Sequence, residues 1–181
     1  MSQKKVLVIT SNLGVELPEL QQPLEFLRSK GIEAIHAAIE NKPVRTVEDD
    51  SKPAIDFEPD TDLASVSIQD YALLLIPGGT VNADQLRVNG DAKRIIQYFA
   101  DQGLPIAAIC HAPWVLINAE RIKGKTLTSY SSIILDLENA GAKWLDQELQ
   151  RCSALGWVLI TSRSPDDIPA FNQAILDELN A

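Results

Sequence analysis

Histidine and cysteine are scarce in this sequence, and their scarcity narrows the chemistry open to it. Among 181 residues there are two cysteines, Cys110 and Cys152, and two histidines, His36 and His111. Two cysteines do not form the dense disulfide framework of a small secreted protein, so we predict free thiols and a cytoplasmic location. Because these residues show no ligand spacing, we predict no metal site, and we expect no other cofactor.

Positive charge is also in short supply. Sixteen Lys and Arg residues stand against 25 Asp and Glu residues, which gives a formal net charge of −9. A protein that binds phosphate backbones needs a basic face, so we expect no nucleic-acid partner. The densest charge run, residues 48–62, is acidic, and we interpret it as a solvated loop rather than a docking site, because blocks of like charge commonly stay in water.

Long apolar runs are missing as well. The first apolar run, residues 6–9, is too short for a signal peptide or a membrane span, and we expect no membrane partner. The composition is nevertheless 45% hydrophobic. A chain of this size and composition can bury one good core, so we predict a single domain over residues 1–181.

Short apolar runs alternate with helical patterns along the chain. Strands are predicted at residues 6–10, 32–39, 71–76, 104–109 and 157–161, and short ones at 126–128, 143–145 and 147–152. Helices are predicted at residues 18–30, 91–102, 111–119, 131–140 and from 165 onward, with a loop after Gly79. This alternation predicts an open, mostly parallel sheet with helices on both faces, which binds ligands at the carboxyl ends of its strands.

Cys110 lies where the strand at 104–109 stops and a helix begins. A side chain on such a tight turn is lifted clear of the sheet edge, and the start of a helix favours an anion beside it. We therefore predict that Cys110 is the nucleophile of an active site. We also expect its pKa to fall from about 8.5 into the range of roughly 3.5–7.5 known for activated cysteines.

Two glutamates lie near the start of the first predicted helix. The helix dipole alone explains acidic residues at that place, and this is the simpler interpretation of Glu16 and Glu19. A sharper interpretation concerns Glu19. If it projects toward Cys110 in a partly dry pocket, its pKa rises, and it can donate a hydrogen bond to a thiolate or act as an acid and base.

The glycines after the third long strand and the histidine after Cys110 leave alternatives open. Gly78 and Gly79 either bring backbone N–H groups to an oxyanion or only form a turn. His111 either carries a proton or has a structural role, because adjacency in sequence does not ensure side-chain contact. His36 and Cys152 are interpreted as bystanders.

Several motifs taken together resemble the ThiJ/PfpI family, in its PfpI-like branch. They are Ala-Ile-Cys-His-Ala-Pro-Trp at 108–114, Leu-Ile-Pro-Gly-Gly at 75–79 and Glu-Leu-Pro-Glu-Leu-Gln-Gln-Pro at 16–23, with later blocks at 124–129, 139–142 and 159–171. The resemblance implies a flavodoxin-like three-layer α/β sandwich with a mostly parallel central sheet. It also implies that Cys110 is the nucleophile, Glu19 its carboxyl partner and His111 the neighbouring family histidine.

The substrate pocket is less well defined by the resemblance. Tyr130, with Ser131 after it, stands where relatives often carry Trp or His followed by Pro, on a segment expected near the pocket. We include Tyr130 with Gly78, Gly79 and Glu16 among the predicted oxyanion and substrate-binding residues. An amidotransferase is not expected, because no histidine follows His111 to complete its triad.

The resemblance implies a cysteine-dependent stress-response enzyme that acts on small reactive dicarbonyls or their protein adducts, as a glyoxalase or deglycase does. One alternative is a redox-sensing stress protein or chaperone without turnover. Another is an intracellular cysteine peptidase, whose site in this family borrows residues from a neighbouring subunit. The partners expected are therefore a small aldehyde or a glycated protein, and further copies of the chain in a homodimer or higher homo-oligomer.

Overall fold

The structure is a computed structural model, and it describes residues 4–181. The strands within this range are β1 Lys5–Thr10, β2 Leu13–Glu16, β3 Glu33–Ala38, β4 Val44–Glu48, β5 Lys52–Phe57, β6 Thr61–Asp62, β7 Leu73–Ile76, β8 Ile106–Ile109, β9 Thr126–Leu127, β10 Lys143–Trp144, β11 Gln150–Cys152 and β12 Leu159–Ser162. The helices are α1 Leu17–Ser29, α2 Thr80–Val88, α3 Gly90–Asp101, α4 Pro113–Asn118, α5 Ile134–Asn139 and α6 Ile168–Asn180. None of these helices is long and apolar enough to cross a bilayer.

A seven-stranded sheet in the order β11-β12-β8-β7-β1-β3-β6 forms the centre of the molecule. All neighbouring strands are parallel except β11, which pairs antiparallel with β12. From β1 the chain proceeds first to β3 on one side and later to β7 on the other. Such a reversal of direction opens a crevice at the carboxyl ends of the neighbouring strands. In this sheet, the strands at the crevice are β1, β7 and β8.

Helices cover both faces of this sheet. Helices α1 and α6 pack on one face, through the buried residues Leu20, Leu24, Leu27, Phe171, Ile175 and Leu179. The other face is covered by α2 to α5, through Leu86, Ile95, Ile96, Phe99, Leu116 and Leu137. The strands between them are apolar on both sides, as expected of a parallel sheet that no water reaches. The predicted three-layer α/β sandwich is confirmed.

Residues 48–62 stay exposed or partly exposed, as the interpretation of a solvated segment predicts, but they do not form a loop. Strands β4 and β5 form an antiparallel hairpin, and β4 also pairs parallel with β2, so that the acidic run is largely part of a second, three-stranded sheet. The reason is the alternation in β4, where Val44 and Thr46 are buried while Arg45 is exposed. Burial of that one face holds the hairpin on the protein while most of its acidic side chains stay in water.

The loop predicted after Gly79 is also wrong, because helix α2 begins at Thr80. Few apolar residues mark this helix in the sequence. Its inward side consists of Asn82, Ala83 and Leu86, of which the first is polar. A helix that buries a polar side chain escapes a search for apolar periodicity.

Candidate active site

Cys110 occupies a strained turn between β8 and α4. Its φ of 62° lies in the left-handed region, which is uncommon for a residue with a side chain and is typical of functional sites. The backbone on both sides is fixed, because the Cys110 N–H donates to Ser162 O at 3.0 Å and the Tyr130 N–H donates to Cys110 O at 2.9 Å. The side chain points to the carboxyl-end crevice, and the residue is only 3% exposed.

Glu19 lies beside the sulfur of Cys110. It extends from the first turn of α1, is fully buried, and accepts the Gly78 N–H at 2.8 Å through Oε2. The same carboxyl contacts the Cys110 sulfur. Burial, followed by the charge of Glu16, raises the pKa of Glu19 well above its usual value, so the carboxyl carries a proton that can be donated.

The pKa of Cys110 does not follow the sequence expectation. Burial, and then the neighbouring Glu19 carboxylate when it is ionised, raise the pKa of the thiol well above its ordinary value. The Gly79 and His111 N–H groups act in the opposite direction, but more weakly than burial does. The prediction of a lowered pKa is therefore wrong, because it considered the start of a helix and not the loss of water around the sulfur. A nucleophilic role for such a thiol requires a neighbouring base that takes its proton.

The glycine turn after β7 packs closely against the side chains of Glu19 and Cys110. A Cβ atom on Gly78 would lie 2.3 Å from Glu19 Oε2 and 2.7 Å from Cys110 Cβ, so only glycine allows this approach. Gly79 has a φ of 96° and its N–H faces the Cys110 sulfur. Asn82 of α2 holds the turn, because its Nδ2 donates to Pro77 O and Gly78 O at 3.0 Å each.

The structure brings His111 into contact with Cys110. His111 Nδ1 lies 3.2 Å from Cys110 Sγ, and burial lowers the pKa of the imidazole. The ring is stacked on Tyr130, with ring centroids 4.7 Å apart and planes inclined by 25°. Both residues therefore lie at the candidate site, in line with the sequence analysis.

A polar chain that the sequence analysis missed continues from the far side of this imidazole. His111 Nε2 is 3.2 Å from Thr80 Oγ1 and 3.1 Å from Ser132 Oγ. The backbone N–H and the hydroxyl of Thr80 lie 3.0 and 3.1 Å from Asp50 Oδ1. Asp50 belongs to the acidic run that was interpreted as a loop.

Asp50 is held at the site by Glu16. The two carboxylate oxygens of Glu16 accept the N–H groups of Asp49 and Asp50, each at 2.9 Å. Both aspartates have left-handed backbones, with φ of 51° and 60°, as the two central residues of a type I′ turn require, and the Ser51 N–H closes this turn by donating to Glu48 O at 3.3 Å. The sequence contains a signal for this turn, since a β-branched alternating run at 44–47 is followed by acidic turn residues, but no glycine emphasises it.

A cavity of about 320 Å³ opens above Cys110. It is lined by Glu16, Glu19, Asp49, Asp50, Cys110, Tyr130, Ser164, Pro165 and Asp166, among which there is no Lys or Arg. A second cavity of about 350 Å³ adjoins it and shares Tyr130, Ser164 and Asp166. Arg163 lines that second cavity, where Asp146 and Asp167 pair with it. Because the first cavity is acidic, it suits a neutral or cationic ligand better than an anion.

The remaining candidate residues lie apart from this cavity. His36 on β3 is buried against Phe57 and lies 2.7 Å from Thr10 Oγ1, and Cys152 on β11 is also buried. Within residues 4–181, no three His, Cys, Asp or Glu side chains are grouped so that they could hold a metal ion. The acidic cavity offers no basic group for an anionic cofactor, and the expectation of a site without cofactor stays a prediction.

A cysteine on a strand-to-helix turn of a doubly wound sheet, with a buried carboxyl and a histidine against its sulfur, is the arrangement of the nucleophile-elbow class of α/β proteins. Within that class, the chain matches the DJ-1/PfpI family over residues 4–178 and belongs to it. The ThiJ/PfpI resemblance is thus confirmed.

Individual relatives match over nearly their full length. The chain is 37% identical to General stress protein 18 of Bacillus subtilis (strain 168), over 97% of either protein. It is 36% identical to Protein/nucleic acid deglycase 2 of Escherichia coli (strain K12), over 100% of both. Among solved structures, Drosophila melanogaster DJ-1beta matches with a TM-score of 0.88 and 30% identity, over 99% of this chain and 91% of that chain.

Proposed function

We propose that this protein is a cysteine-dependent enzyme that converts small reactive dicarbonyls such as methylglyoxal, or the adducts that they form with proteins. The observation that carries the proposal is the position of Cys110 Sγ between the Glu19 carboxyl and His111 Nδ1, below an open cavity. The relative named as a deglycase, at 36% identity, and the relative named as a general stress protein, at 37%, support it.

The first step is the addition of the thiol to an aldehyde. The Cys110 proton passes to His111 Nδ1, the sulfur forms a bond to the carbonyl carbon, and the C=O π electrons move onto oxygen. The Gly79 and His111 N–H groups, which face the sulfur, are placed to donate to that oxygen. Transfer of the proton to the oxygen then gives a neutral hemithioacetal.

For methylglyoxal, the remaining steps need only proton transfer and water. A base removes the proton from the former aldehyde carbon, and a proton returns to the neighbouring carbon, which turns the hemithioacetal into a thioester of lactate. Water then adds to the thioester, which releases lactate and the Cys110 thiol. The aldehyde carbon is oxidised and the ketone carbon reduced, so no external oxidant is required. Glu19 carries a proton because its pKa is raised, and it is suited to these transfers.

For a hemiaminal adduct, the cavity charge supports the same chemistry. An adduct on lysine or arginine retains a basic nitrogen, and the lining carboxylates of Asp49, Asp50 and Asp166 favour a cation. The Cys110 sulfur forms a bond to the hemiaminal carbon, the bond from that carbon to nitrogen breaks, and the amine leaves with the proton that the thiol gave up. The two substrate types therefore share the hemithioacetal and the steps that follow it.

The direct test is lactate formation from methylglyoxal by the wild type and three variants assayed side by side. We expect Cys110→Ala to lower turnover by at least about 10³-fold, as loss of a covalent nucleophile does. Glu19→Gln is expected to retain thiol addition but to lose steps that need a transferable proton. Cys152→Ala serves as the matched control and should keep the wild-type rate. Unchanged turnover in a folded Cys110→Ala protein would reject the proposal.

One observation favours a second function. Oε1 of Glu19 is buried and has no hydrogen-bond partner among the described residues, which leaves a polar atom near the sulfur that could bind an oxygen added to it. In a redox sensor, Cys110 would be oxidised to a sulfinic acid and Glu19 would stabilise the product. Mild peroxide should then add two oxygens to Cys110 in the intact mass, and equal oxidation of Cys152 would argue against a tuned site.

We also propose that the chain forms a homodimer or higher homo-oligomer, as its family resemblance implies. Strand β5 supports this, because it is an edge strand of the second sheet and Ile55 on it is 56% exposed. Sedimentation velocity of the full chain tests it, and a single species of the monomer mass across the micromolar range would contradict it.

A further inference from the structure

We propose that Asp50 is a positioning residue that acts through Thr80 to hold His111 in the tautomer whose Nδ1 is free to accept the Cys110 proton. The inference rests on the proposed function, because it concerns the base that this function needs. It assigns to the acidic hairpin between β4 and β5 a task beyond the charge that it gives to the cavity.

The direction of the first hydrogen bond follows from the carboxylate. Asp50 Oδ1 lies 3.0 Å from the Thr80 N–H nitrogen and 3.1 Å from Thr80 Oγ1. An ionised carboxylate has no hydrogen to donate, so the Thr80 hydroxyl must donate its only hydrogen to Asp50. The hydroxyl oxygen of Thr80 then has lone pairs alone to offer to its other neighbour.

That neighbour is His111 Nε2, at 3.2 Å from Thr80 Oγ1. Since Thr80 can only accept here, Nε2 must carry the hydrogen of the imidazole. A neutral imidazole has one N–H, so Nδ1 presents a lone pair, and Nδ1 is the atom that lies 3.2 Å from Cys110 Sγ. Burial lowers the pKa of His111, which favours the neutral ring that the argument needs.

The other groups against His111 do not change this result. Ser132 Oγ is 3.1 Å from Nε2, but its exposed hydroxyl can donate or accept and so follows the choice made elsewhere. Trp114 contacts the ring and does not titrate. The titratable groups that face the imidazole are Cys110, Asp50 and Tyr130, and among these Asp50 raises the pKa of His111 against the effect of burial.

Asp50 is firmly placed for this task. Glu16 accepts its N–H at 2.9 Å, and its φ of 60° turns the side chain toward the start of α2. All members of the chain of contacts, from Asp50 through Thr80 and His111 to Cys110, belong to one polypeptide. A base held in this way needs no residue from a neighbouring subunit, unlike the peptidase site that the family resemblance implies.

The tautomer can be measured directly by ¹⁵N–¹H correlation spectra of the imidazole rings. Only His36 and His111 contribute, and a His111→Gln variant assigns them. We expect His111 to be protonated at Nε2 in the wild type. We expect Thr80→Val to shift it toward a mixture of tautomers, and Thr80→Ser, which keeps the hydroxyl, to restore it. A wild-type His111 protonated at Nδ1 would overturn the inference.

Reactivity of the thiol gives a second measurement that uses no substrate. Iodoacetamide alkylation of Cys110, in a Cys152→Ser background between pH 5 and 9, should be about three- to tenfold slower at neutral pH in Thr80→Val, which corresponds to one ordinary hydrogen bond. Asp50→Asn should slow it at least as much. Glu48→Gln removes a charge from the same hairpin at an exposed place and should leave the rate unchanged. We call the chain of contacts from Asp50 through Thr80 to His111 the relay. Equal alkylation rates for Asp50→Asn and Glu48→Gln would contradict a specific relay.

Failure of the relay and failure of the proposed function give different results. If His111 has the expected tautomer and responds to Thr80→Val, but no dicarbonyl is consumed, the proposed function fails and the relay stands. If dicarbonyl turnover depends on Cys110 while Thr80→Val changes neither tautomer nor alkylation rate, the relay fails and the proposed function stands.

Discussion

The turn at Cys110 and the hairpin turn at Asp49 and Asp50 are both strained, yet they are held in different ways. All three residues have a positive φ, at 62°, 51° and 60° respectively. At Cys110 the backbone is fixed by other backbone groups, from Ser162 and Tyr130. At the hairpin the backbone is fixed by the Glu16 side chain. The Cys110 turn is thus supported by the sheet itself, whereas its electrostatic surroundings depend on a few polar side chains.

The two glutamates of the first helix divide between these two turns. Glu19 lies at the Cys110 turn as a protonated, fully buried carboxyl. Glu16 holds the hairpin turn, because its carboxylate accepts two N–H groups there. They are three residues apart in sequence and both line the cavity, but they differ in their partners: Glu16 accepts two N–H groups from the hairpin, whereas Glu19 accepts the Gly78 N–H. Position along a helix alone does not assign a role to an acidic residue.

The largest effect on stability is expected from substitution of Gly79, which lies beside both turns. A Cβ atom there would lie 2.1 Å from Gly14 O, a backbone atom that cannot move freely, and φ is 96°. We expect Gly79→Ala to cost about 2–5 kcal/mol of unfolding free energy, from strain and overpacking. Urea unfolding measures it. Gly90→Ala is the matched control, because nothing lies within 4 Å of its Cβ position, and it should not destabilise the protein.

The pH dependence of stability tests how Glu19, at the Cys110 turn, differs from Glu16, at the hairpin turn. The pKa of Glu19 is raised in the native state, so above about pH 4.5 the native protein holds a proton that the unfolded chain has lost. Stability is therefore present at low pH and lost as pH rises. Relative to Glu19→Gln, the wild type should lose about 1.4 kcal/mol per pH unit while its carboxyl stays protonated. Urea midpoints of both proteins at several pH values measure this, and parallel curves would contradict a buried protonated Glu19.

A smaller effect, confined to the hairpin, is expected from Glu16→Gln. The amide can accept from one of the two N–H groups of Asp49 and Asp50 and is repelled by the other, at a cost of about 1–2 kcal/mol. Hydrogen exchange should accelerate at these two amides and not at the Cys110 amide. Equal acceleration at all three would show that the two turns are not held independently.

The smallest effect is expected at the second cysteine. Cys152 is buried like Cys110, but its sulfur accepts the Thr126 N–H at 3.3 Å, whereas the Cys110 sulfur lies against His111 and Glu19. Cys152→Ser should change stability by less than about 1 kcal/mol and leave Cys110 alkylation unaltered. A marked loss of Cys110 reactivity would mean that the two thiols communicate.

The central sheet was predictable because its strands are apolar on both faces. The runs at 6–10, 71–76 and 104–109 match β1, β7 and β8 closely, and each ends at a residue that punctuates the chain. Strand β2 and helix α2 escaped prediction because they are short or bury polar groups such as Asn82. The residues of these two elements are visible in the sequence, but contacts with other parts of the chain stabilise them. A local pattern does not reveal such contacts.

The candidate site was predictable only in part, for the same reason. Cys110 and His111 are adjacent in sequence, and the strand-to-helix pattern around them is local. Asp50 and Thr80 are 30 residues apart, and Thr80 and His111 are 31 apart, so no spacing rule links them. The depth of burial that raises the pKa of Cys110 likewise depends on elements that are distant in the chain.

The paired ends of the β4–β5 hairpin have a consequence for engineering and for divergence. Val44 and Phe57 stand opposite each other, so the segment between them leaves and rejoins the body of the protein at nearly one point. Divergence within this segment can therefore change the carboxylates that it brings to the cavity while the sheet that carries the Cys110 sulfur is left intact. Under the proposed function, such a change would alter substrate preference without altering the Cys110 turn.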